Sequence, residues 1–280
     1  MTDSPPNHLI NGQWMDRIPA ANRGVAYGDG VFETIAYLRD RWLLWDRHMQ
    51  RLETGCRALR IPPPDSRTLH AEAEHARAAR AGGVLKILLT RGGEGRGYAA
   101  TANADPLRML SWHEYPAFPP AYFRQGVRVR YCRTPISIQP HLAGLKHCNR
   151  LDHVLARSEW EDTHIAEGLM HEPEGNIICG TRGNLFLVKN DVLWTPDLSR
   201  SGIAGCMRAR VLETAKAFGL EIRITAIGRS DLESCEELFL SNSVFGIWPV
   251  RELQGQCIPV GPITRRLQHS CAADWLPSTF

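Results

Sequence analysis

Apolar residues along the first half of the chain follow two periods, which predict strands and helices in succession. VFETIAYLRDRWLLW contains two apolar runs separated by residues 39–41, and it predicts two strands joined by a hairpin turn. RHMQRLETGCRALRI has apolar residues at three- and four-residue steps. This indicates a helix that Asp46 caps and the prolines at 62–64 end. A second helix is predicted over residues 66–80, and VLKILLT and MLSWHEY are typical of buried strands.

The second half of the chain repeats this mixture of elements. VRVRYC predicts a strand and NRLDHVLARSEWEDT a helix, whereas GNIICGTRGNLFLVKNDVLWTP predicts consecutive strands that turn at Lys189-Asn190-Asp191. CMRARVLETAKAF predicts another helix, and Ser230 with Glu233 indicates the capping box of a short one. The chain therefore belongs to the mixed α/β or α+β classes.

One proline-rich stretch interrupts these periods. YPAFPPAYFRQG contains three prolines and shows neither helical nor strand spacing, so it predicts a linker. We therefore predict an N-terminal α/β domain over residues 1–114, a linker over 115–123 and a larger C-terminal domain over 124–280. Because small ligands usually bind in clefts between domains, we expect the site there.

The composition narrows the class of protein. The chain is 43% hydrophobic and 22% charged with a net charge of +3, and it has no run of like charges. This argues against nucleic acid or an anionic membrane as a partner. MTDSPPNHLINGQW has no basic or apolar signal region, and no apolar stretch is long enough to span a bilayer. The eight cysteines form no C-x-x-C pair, so we expect reduced thiols, a cytoplasmic location and no metal site.

Lysine is scarce, which makes each lysine worth considering. The four are Lys86, Lys146, Lys189 and Lys216. Lys189 and Lys216 are expected to be solvated, and Lys86 lies within an apolar strand. Lys146 lies in HLAGLKHCNRLDH, a segment of weak periodicity, where a partly apolar pocket would lower its pKa for Schiff-base chemistry. A purely structural lysine is the alternative, and local features favour it.

Two features suit an anion such as a phosphate. Residues 201–208, SGIAGCMR, form a glycine turn that leads directly into a helix, where unpaired amides and the helix dipole attract negative charge. An ordinary helix start explains the same pattern equally well. Arg51 on the first long helix could bind a phosphate through two hydrogen bonds, although exposed helix arginines are commoner.

The loop RGGEGRGY, residues 91–98, carries two arginines and a tyrosine. It lacks the full G-x-G-x-x-G pattern before a helix, so it is not a dinucleotide-binding motif. Its side chains suit a lid that binds a carboxylate, and a simple surface hairpin is the alternative.

These segments occur in an order that resembles one family. NRGVAYGDGVFET, RHMQRL, ILLTRGGEGRGY, HLAGLKHCNRLDHVLARSE, GNLFLVKNDVLWTP and SGIAGCMR resemble the fold-type-IV pyridoxal-phosphate enzymes, from about Leu9 to Val250. That superfamily includes branched-chain and D-amino-acid aminotransferases and 4-amino-4-deoxychorismate lyase. TRGGEGRGY and LAGLKHCNRLDHVLARS are the more discriminating blocks, and they are similar to those of the lyase.

The resemblance implies a fold, a cofactor and a set of roles. The fold is a two-domain α+β enzyme with a smaller N-terminal α/β domain and a larger, mixed β-barrel-like C-terminal domain with helices. Pyridoxal 5′-phosphate would bond to Lys146. Its phosphate would bind Arg51, the amides of Gly205, Cys206 and Met207, and Ser243. The residues expected around the substrate are Thr34, counted as catalytic with Lys146, and Arg91, Arg96, Tyr98 and Asn242.

One position departs from the family pattern. The family usually has a glutamate five residues before the NLF asparagine, where it meets the pyridine nitrogen of the cofactor. Here that position is Cys179, and Glu174 lies five residues further back. Either another group meets the nitrogen, or the ring stays largely unprotonated.

The resemblance also implies an activity and a partner. It predicts release of pyruvate from 4-amino-4-deoxychorismate, with 4-aminobenzoate left for folate synthesis, by a homodimer with sites near the interface. An aminotransferase for D- or branched-chain amino acids is the alternative, and Cys179 argues against it because transamination needs a strong electron sink. A third hypothesis is a cofactor-binding protein without turnover, which a colourless purified protein would favour.

Overall fold

The computed structural model describes residues 7–78, 80–93, 97–100 and 105–277. The chain divides into two compact units, residues 1–116 with 145–149 and residues 117–144 with 150–280. The main change of unit thus falls after residue 116. The sequence predicts residues 145–149 in the C-terminal domain, whereas the structure groups them with the first unit, because their backbone pairs with a strand there.

The first unit is an antiparallel sheet with helices. Its strands are β1 (His8–Ile10), β2 (Gln13–Trp14), β3 (Gly30–Leu38), β4 (Arg41–Trp42), β5 (Gly83–Thr90) and β6 (Leu107–His113). They lie in the order β2-β1-β6-β5-β3-β4. The helices are α1 (Arg23–Tyr27), α2 (Trp45–Leu59) and α3 (Ser66–Arg77). Between β3 and β4, Arg39 and Asp40 have φ of 51° and 58°, which confirms the predicted hairpin turn.

Alternation along β3 decides which side chains face the core of this unit. Val31 and Ile35 are buried, and they pack with apolar residues of α2, α3 and β5. Phe32 and Thr34 point to the opposite face and are only half-buried. One face of the sheet is therefore closed by helices, and the other carries side chains that are only partly buried.

Both long helices of the first unit begin or end differently from the prediction. Helix α2 begins at Trp45 after Leu44, whose φ is 57°, and no side chain caps it, so the predicted cap at Asp46 is wrong. Helix α3 is capped by Asp65, which accepts the amide of Thr68 at 2.9 Å. It ends at Arg77, three residues earlier than predicted, because Ala78 adopts a left-handed conformation.

The second unit is built on a larger mixed sheet. Its strands are β7 (Val127–Tyr131), β8 (Ile165–His171), β9 (Ile177–Gly180), β10 (Asn184–Lys189), β11 (Val192–Pro196), β12 (Ile222–Thr225), β13 (Glu237–Asn242), β14 (Gly246–Leu253) and β15 (Gln256–Cys257). Six of them close on themselves in the order β10-β13-β14-β7-β8-β9, with β9 pairing back to β10. Strand β7 runs parallel to both neighbours, β14 and β8. The predicted mixed, β-barrel-like domain with helices is confirmed.

Five helices accompany this sheet: α4 (Pro120–Arg124), α5 (Leu151–Arg157), α6 (Cys206–Ala217), α7 (Arg229–Glu233) and α8 (Pro262–Cys271), followed by a short 3₁₀ helix (Ala273–Trp275). Helix α4 occupies part of the predicted linker, so that stretch is not without structure. Helix α7 begins after Gly228, whose amide donates to Asp231 at 3.0 Å, rather than at a capping box of Ser230 and Glu233. In the described part of the chain, no helix combines the length and apolar character needed to cross a membrane.

Candidate active site

Lys146 lies on a short extended segment that is held against β3. The amide of Phe32 donates to the carbonyl of Lys146, and the amide of Cys148 donates to the carbonyl of Gly30, both at 2.9 Å. Val31 and His147 form the antiparallel bridge between these two bonds. Side chains alternate along such a segment, so the backbone fixes the direction of the lysine.

The side chain of Lys146 lies on the half-buried face of β3. Its Nζ is 4.2 Å from the centroid of the Phe32 ring, in cation–π contact. Thr34 is two residues along the same strand and therefore on the same face. Its partner on β5 is Lys86, whose Nζ is 5.8 Å from the Phe32 ring. Two of the four lysines therefore lie within 6 Å of one aromatic ring, Lys146 from the segment that bridges to β3 and Lys86 from β5.

Arg51 is tied to a buried carboxylate on the opposite face of β3. Its Nε and Nη2 donate to Glu33 at 2.8 and 2.6 Å, and His48 Nδ1 lies 2.6 Å from the same carboxylate. Burial alone would raise the pKa of Glu33, but Arg51 and His48 outweigh it and lower that pKa to about 2. Burial lowers the pKa of His48, and the charge of Glu33 opposes that effect. The cluster fixes the orientation of the Arg51 guanidinium. The sequence analysis does not predict this ion pair with Glu33.

Arg91 has a structural use within the first unit. Its guanidinium binds both carboxylate oxygens of Asp29, at 2.7 and 3.1 Å, and donates to the carbonyls of Leu59 and Arg60 at the end of α2. The sequence predicts Arg91 on a lid over the substrate. The side chain is instead only 11% exposed and joins the end of β5 to that of α2.

Asp29 also holds a second arginine that the sequence analysis missed. Arg23 donates to Asp29 at 2.9 Å and to the carbonyls of residues 97–99. Burial tends to raise the pKa of Asp29, but Arg91 and Arg23 together lower it. The result is an anchor for the segment that carries Tyr98. The ring of Tyr98 is 88% exposed and lies 5.5 Å from that of Tyr27. Arg96, the other predicted lid residue, lies outside the described residues.

The predicted anion turn of the second unit leads directly into α6. Gly205 is the N-cap, and as a glycine it has no side chain to cap this helix. The first amides of any helix lack intrahelical acceptors, so those of Cys206 and Met207 are directed out of the helix end. A Cβ on Gly205 would lie 2.0 Å from Oδ1 of Asn184, whose Nδ2 donates to the carbonyl of Ile203 at 2.8 Å. Glycine is therefore required for the close packing of this turn.

Asn242 is the last residue of β13, and Ser243 begins the turn that leads to β14. The side chain of Asn242 donates to the carbonyl of Arg182, and its oxygen accepts the amide of Val244. The carbonyl of Ser243 accepts from the indole of Trp275 at 3.0 Å. The side chain of Asn242 thus holds the turn. The sequence analysis assigns this residue to the substrate and does not predict that role.

Cys179 lies on β9, opposite Asn184 on β10, and is 3% exposed. Burial, helped by the charge of Glu167, raises the pKa of its thiol to about 12. The thiol is therefore neutral near pH 7. Glu174, the carboxylate considered in the sequence analysis, is an exposed partner of Arg200 at 2.8 Å.

A carboxylate that the sequence analysis missed lies close to this position. Glu167 on β8 is fully buried and accepts the amides of Gly168, Thr181 and Arg182 at 3.0 to 3.2 Å. It also accepts the hydroxyl of Thr181. A Cβ on Gly180, the residue after Cys179, would lie 3.0 Å from its side chain. Glu167 and Gly180 are not neighbours in the sequence, and the pairing of β8 with β9 brings them together.

Comparisons with known proteins agree with this architecture. The family model described as amino-transferase class IV matches residues 30–253. An aminodeoxychorismate lyase of Vibrio harveyi is 35% identical over 92% of this chain and 97% of its own length. A putative branched-chain-amino-acid aminotransferase of Methanocaldococcus jannaschii is 28% identical over 92% of this chain and 93% of its own.

A solved structure shares the whole fold. The crystal structure of 4-amino-4-deoxychorismate lyase from Pseudomonas aeruginosa superposes with a TM-score of 0.92 at 45% identity. It covers 96% of this chain and 100% of the other. Both units therefore have counterparts in one known structure.

Proposed function

Because the chain belongs to the class IV amino-transferase family, we propose that it is a pyridoxal-phosphate-dependent lyase. It converts 4-amino-4-deoxychorismate into 4-aminobenzoate and pyruvate, a step of folate biosynthesis. The observation that carries this proposal is the near-full-length similarity to two proteins named as this lyase.

The side chains present suit this cofactor, which is an aldehyde with a phosphate ester. Lys146 offers a primary amine that β3 holds in place. For the phosphate, the chain offers the guanidinium of Arg51 and the start of α6, which follows Gly205. The close packing of Gly205 on Asn184 requires a residue without a side chain at this helix start. We assign Lys146 to the aldehyde, and Arg51, Gly205, Cys206, Met207 and Ser243 to the phosphate.

The proposed chemistry divides between cofactor and protein. The cofactor, when bound, supplies an aldehyde that bonds the substrate amine and a ring that withdraws electrons. Lys146 would hold the cofactor through its Nζ until the substrate binds. The released Nζ of Lys146 then removes the proton from the carbon that bears the amine. Thr34, on the same strand face as Phe32, orients the substrate beside that nitrogen.

Bond breaking follows from this proton removal. The electron pair left on that carbon forms a double bond within the substrate ring as the neighbouring carbon–oxygen bond to the enolpyruvyl group breaks. The departing oxygen takes a proton from Lys146 or from water, and the enol becomes pyruvate. The ring gains aromaticity, so the step is favourable without a long-lived carbanion. Arg96 and Tyr98 suit the two carboxylates of the substrate. Arg91 and Asn242, the other two residues expected at the substrate, form the structural hydrogen bonds described above.

The neutral thiol of Cys179 supports a lyase over an aminotransferase. Transamination requires the cofactor to accept the electron pair until a proton returns. A carboxylate that faces the ring nitrogen favours this storage of the electron pair. A buried thiol with a pKa of about 12 provides no such charge. Elimination driven by aromatisation tolerates the weaker electron sink.

We also propose a homodimer located in the cytoplasm. Helix α5 presents Leu151, Val154 and Leu155, which are 76%, 57% and 60% exposed, at the spacing of one helix face. Such an apolar stripe on a surface helix suits a contact with a second copy, and sedimentation of the pure protein would test it. All eight cysteines lie in the described part of the chain and none forms a disulfide, which suits a reducing compartment.

The proposed function is tested by an absorbance spectrum of the pure protein and by adding 4-amino-4-deoxychorismate without any keto acid. We expect a visible band from lysine-bound cofactor and the release of pyruvate. A colourless protein, or one that requires a keto acid, would contradict the proposal.

A further inference from the structure

A polar cleft lies at one end of the sheet of the second unit. Its volume is about 740 Å³. Three of its lining residues are the last residues of parallel neighbouring strands: Tyr131 of β7, His171 of β8 and Leu253 of β14. The carboxyl ends of parallel strands are where α/β sheets commonly bind ligands. A cleft of this size accommodates a small organic molecule.

Arginines give this cleft its chemical character. Arg130, Arg133 and Arg229 line it. The first two share one carboxylate, Glu159, at 3.6 and 3.8 Å. Arg130 is further fixed by hydrogen bonds to the carbonyls of Tyr131 and Glu159. One carboxylate between two guanidinium groups leaves positive charge at the rim of the cleft.

Arg229 is the group best prepared to bind a ligand. The central carbon of its guanidinium lies over the ring of Tyr131, 4.6 Å from the centroid. Among the described residues, it forms neither an ion pair within 4 Å nor a hydrogen bond. Glu233, one helical turn later, also lines the cleft but forms no ion pair with Arg229. A stacked guanidinium keeps its donors in one plane and directs them at a planar oxyanion.

The hydroxyl of Tyr131 provides a second, independent observation. It is buried and has no hydrogen-bond partner among the described residues. Buried hydroxyls in folded proteins nearly always have a partner, because leaving one unpaired is costly. Tyr131 and Arg229 both line the cleft, and the covered hydroxyl becomes available to a ligand there when the tyrosine ring turns towards the cleft.

We propose that this cleft is a second binding site, separate from the reaction proposed above, for a small organic oxyanion. Arg229 and Arg133 bind a phosphate or carboxylate group of the ligand, and the hydroxyl of Tyr131 donates to it. The shared chemistry is an anionic group with at least two oxygens, to which a guanidinium can donate two hydrogen bonds. Pyrophosphate and citrate serve as probes for the phosphate and the carboxylate versions.

The test is calorimetric titration of the cofactor-loaded protein at low ionic strength, with each probe in turn. We expect one saturable site per chain for at least one probe. Arg229→Gln should weaken binding by about tenfold or more, the effect of losing a charge-assisted contact. Tyr131→Phe, which keeps the ring beneath Arg229, should weaken it by roughly threefold to tenfold.

Arg223→Gln is the matched control, because Arg223 also stacks on an aromatic ring, that of Trp194 at 5.3 Å, but already binds Glu221 at 2.9 Å. It should leave probe binding unchanged, and all three variants should keep the turnover of the parent protein. Three results would each overturn the proposal: no saturable binding of either probe, equal weakening by Arg229→Gln and Arg223→Gln, or competition between the bound probe and the substrate. The first two do not depend on which reaction the protein catalyses.

Discussion

The Nζ of Lys146 lies 4.2 Å above the ring of Phe32, and the amide of Phe32 donates to the carbonyl of Lys146. One residue of β3 thus fixes both the backbone and the side chain of the lysine. A lysine side chain ordinarily has four rotatable bonds and an uncertain position. The double contact limits that freedom and presents the amine on the strand face that also carries Thr34.

Lys146 and Lys86 are therefore the pair to compare by mutation. Lys146→Ala should lose the visible band of lysine-bound cofactor and at least about a hundredfold in turnover, because the variant lacks both the bonding amine and the proton carrier. Lys86→Ala should keep the band, since that amine lies farther from Phe32, at 5.8 Å. Absorbance and pyruvate release measure both effects. A band that survives in Lys146→Ala and disappears in Lys86→Ala would identify the other lysine.

Glu33 should make a pH-dependent contribution to stability. Its pKa is lowered to about 2 in the folded protein from an ordinary value of 4.5. A carboxyl whose folded pKa is lowered stabilises the fold above the unfolded pKa, and loses that contribution as the pH falls through the folded pKa. Glu33→Gln removes one partner of a buried ion pair and should reduce the free energy of unfolding by about 3 kcal/mol near neutral pH.

Urea unfolding across this pH range checks the contribution of Glu33. The difference between parent and Glu33→Gln should stay constant above the unfolded pKa and shrink as the pH falls from about 4.5 towards 2. Glu53→Gln on α2 is the control, because its pair with Arg57 is exposed and worth about 0.5 kcal/mol. A difference that persists unchanged into that acid range would show that Glu33 does not stabilise the fold as a charged group.

Gly205→Ala should damage cofactor binding through its contact with Asn184. The new methyl would lie 2.0 Å from Oδ1 of Asn184, so the turn or the asparagine must move. We expect the affinity of the apoprotein for pyridoxal phosphate to fall by about tenfold or more. Gly228→Ala is the control, because Gly228 also precedes a helix but its nearest neighbour would be 3.7 Å away. Equal affinities in the two variants would show that the turn before α6 does not bind the phosphate.

Cys179 should influence which reaction the cofactor undergoes. The parent protein should show little aminotransferase activity on D-alanine, because its buried thiol is neutral. Cys179→Glu should raise half-transamination of the cofactor relative to pyruvate release, whereas Cys179→Ser should leave that ratio unchanged. Burial beside Glu167 will cost stability, so folding of the variant must be measured by circular dichroism. Efficient transamination by the parent protein would contradict this role.

Local sequence chemistry predicted much of the fold. The turn at Asn190 and Asp191, with φ of 52° and 58°, follows from residues that tolerate left-handed conformations between two apolar runs. Helix ends were less predictable: Leu44 and Ala78 adopt left-handed conformations without glycine or a capping side chain. In such cases, tertiary packing overrides the local preference.

The candidate site was predictable only where a residue type has one common use. Lys146 stood out because lysines are scarce and because its segment resembles a known family. Glu167 did not, because strand pairing brings it beside Gly180 from a different part of the chain. Arg91 illustrates the same limit, since no pattern in a glycine-rich loop reveals that Asp29 and the end of α2 will take up its hydrogen bonds.

The most direct measurement of the central claim is the stoichiometry of products from 4-amino-4-deoxychorismate, in the absence of any keto acid. The proposed lyase should release one pyruvate for each 4-aminobenzoate over many turnovers, and Lys146→Ala, checked for correct folding, should release neither above the uncatalysed rate. Turnover that stops after one equivalent unless a keto acid is added would contradict the account and establish an aminotransferase instead.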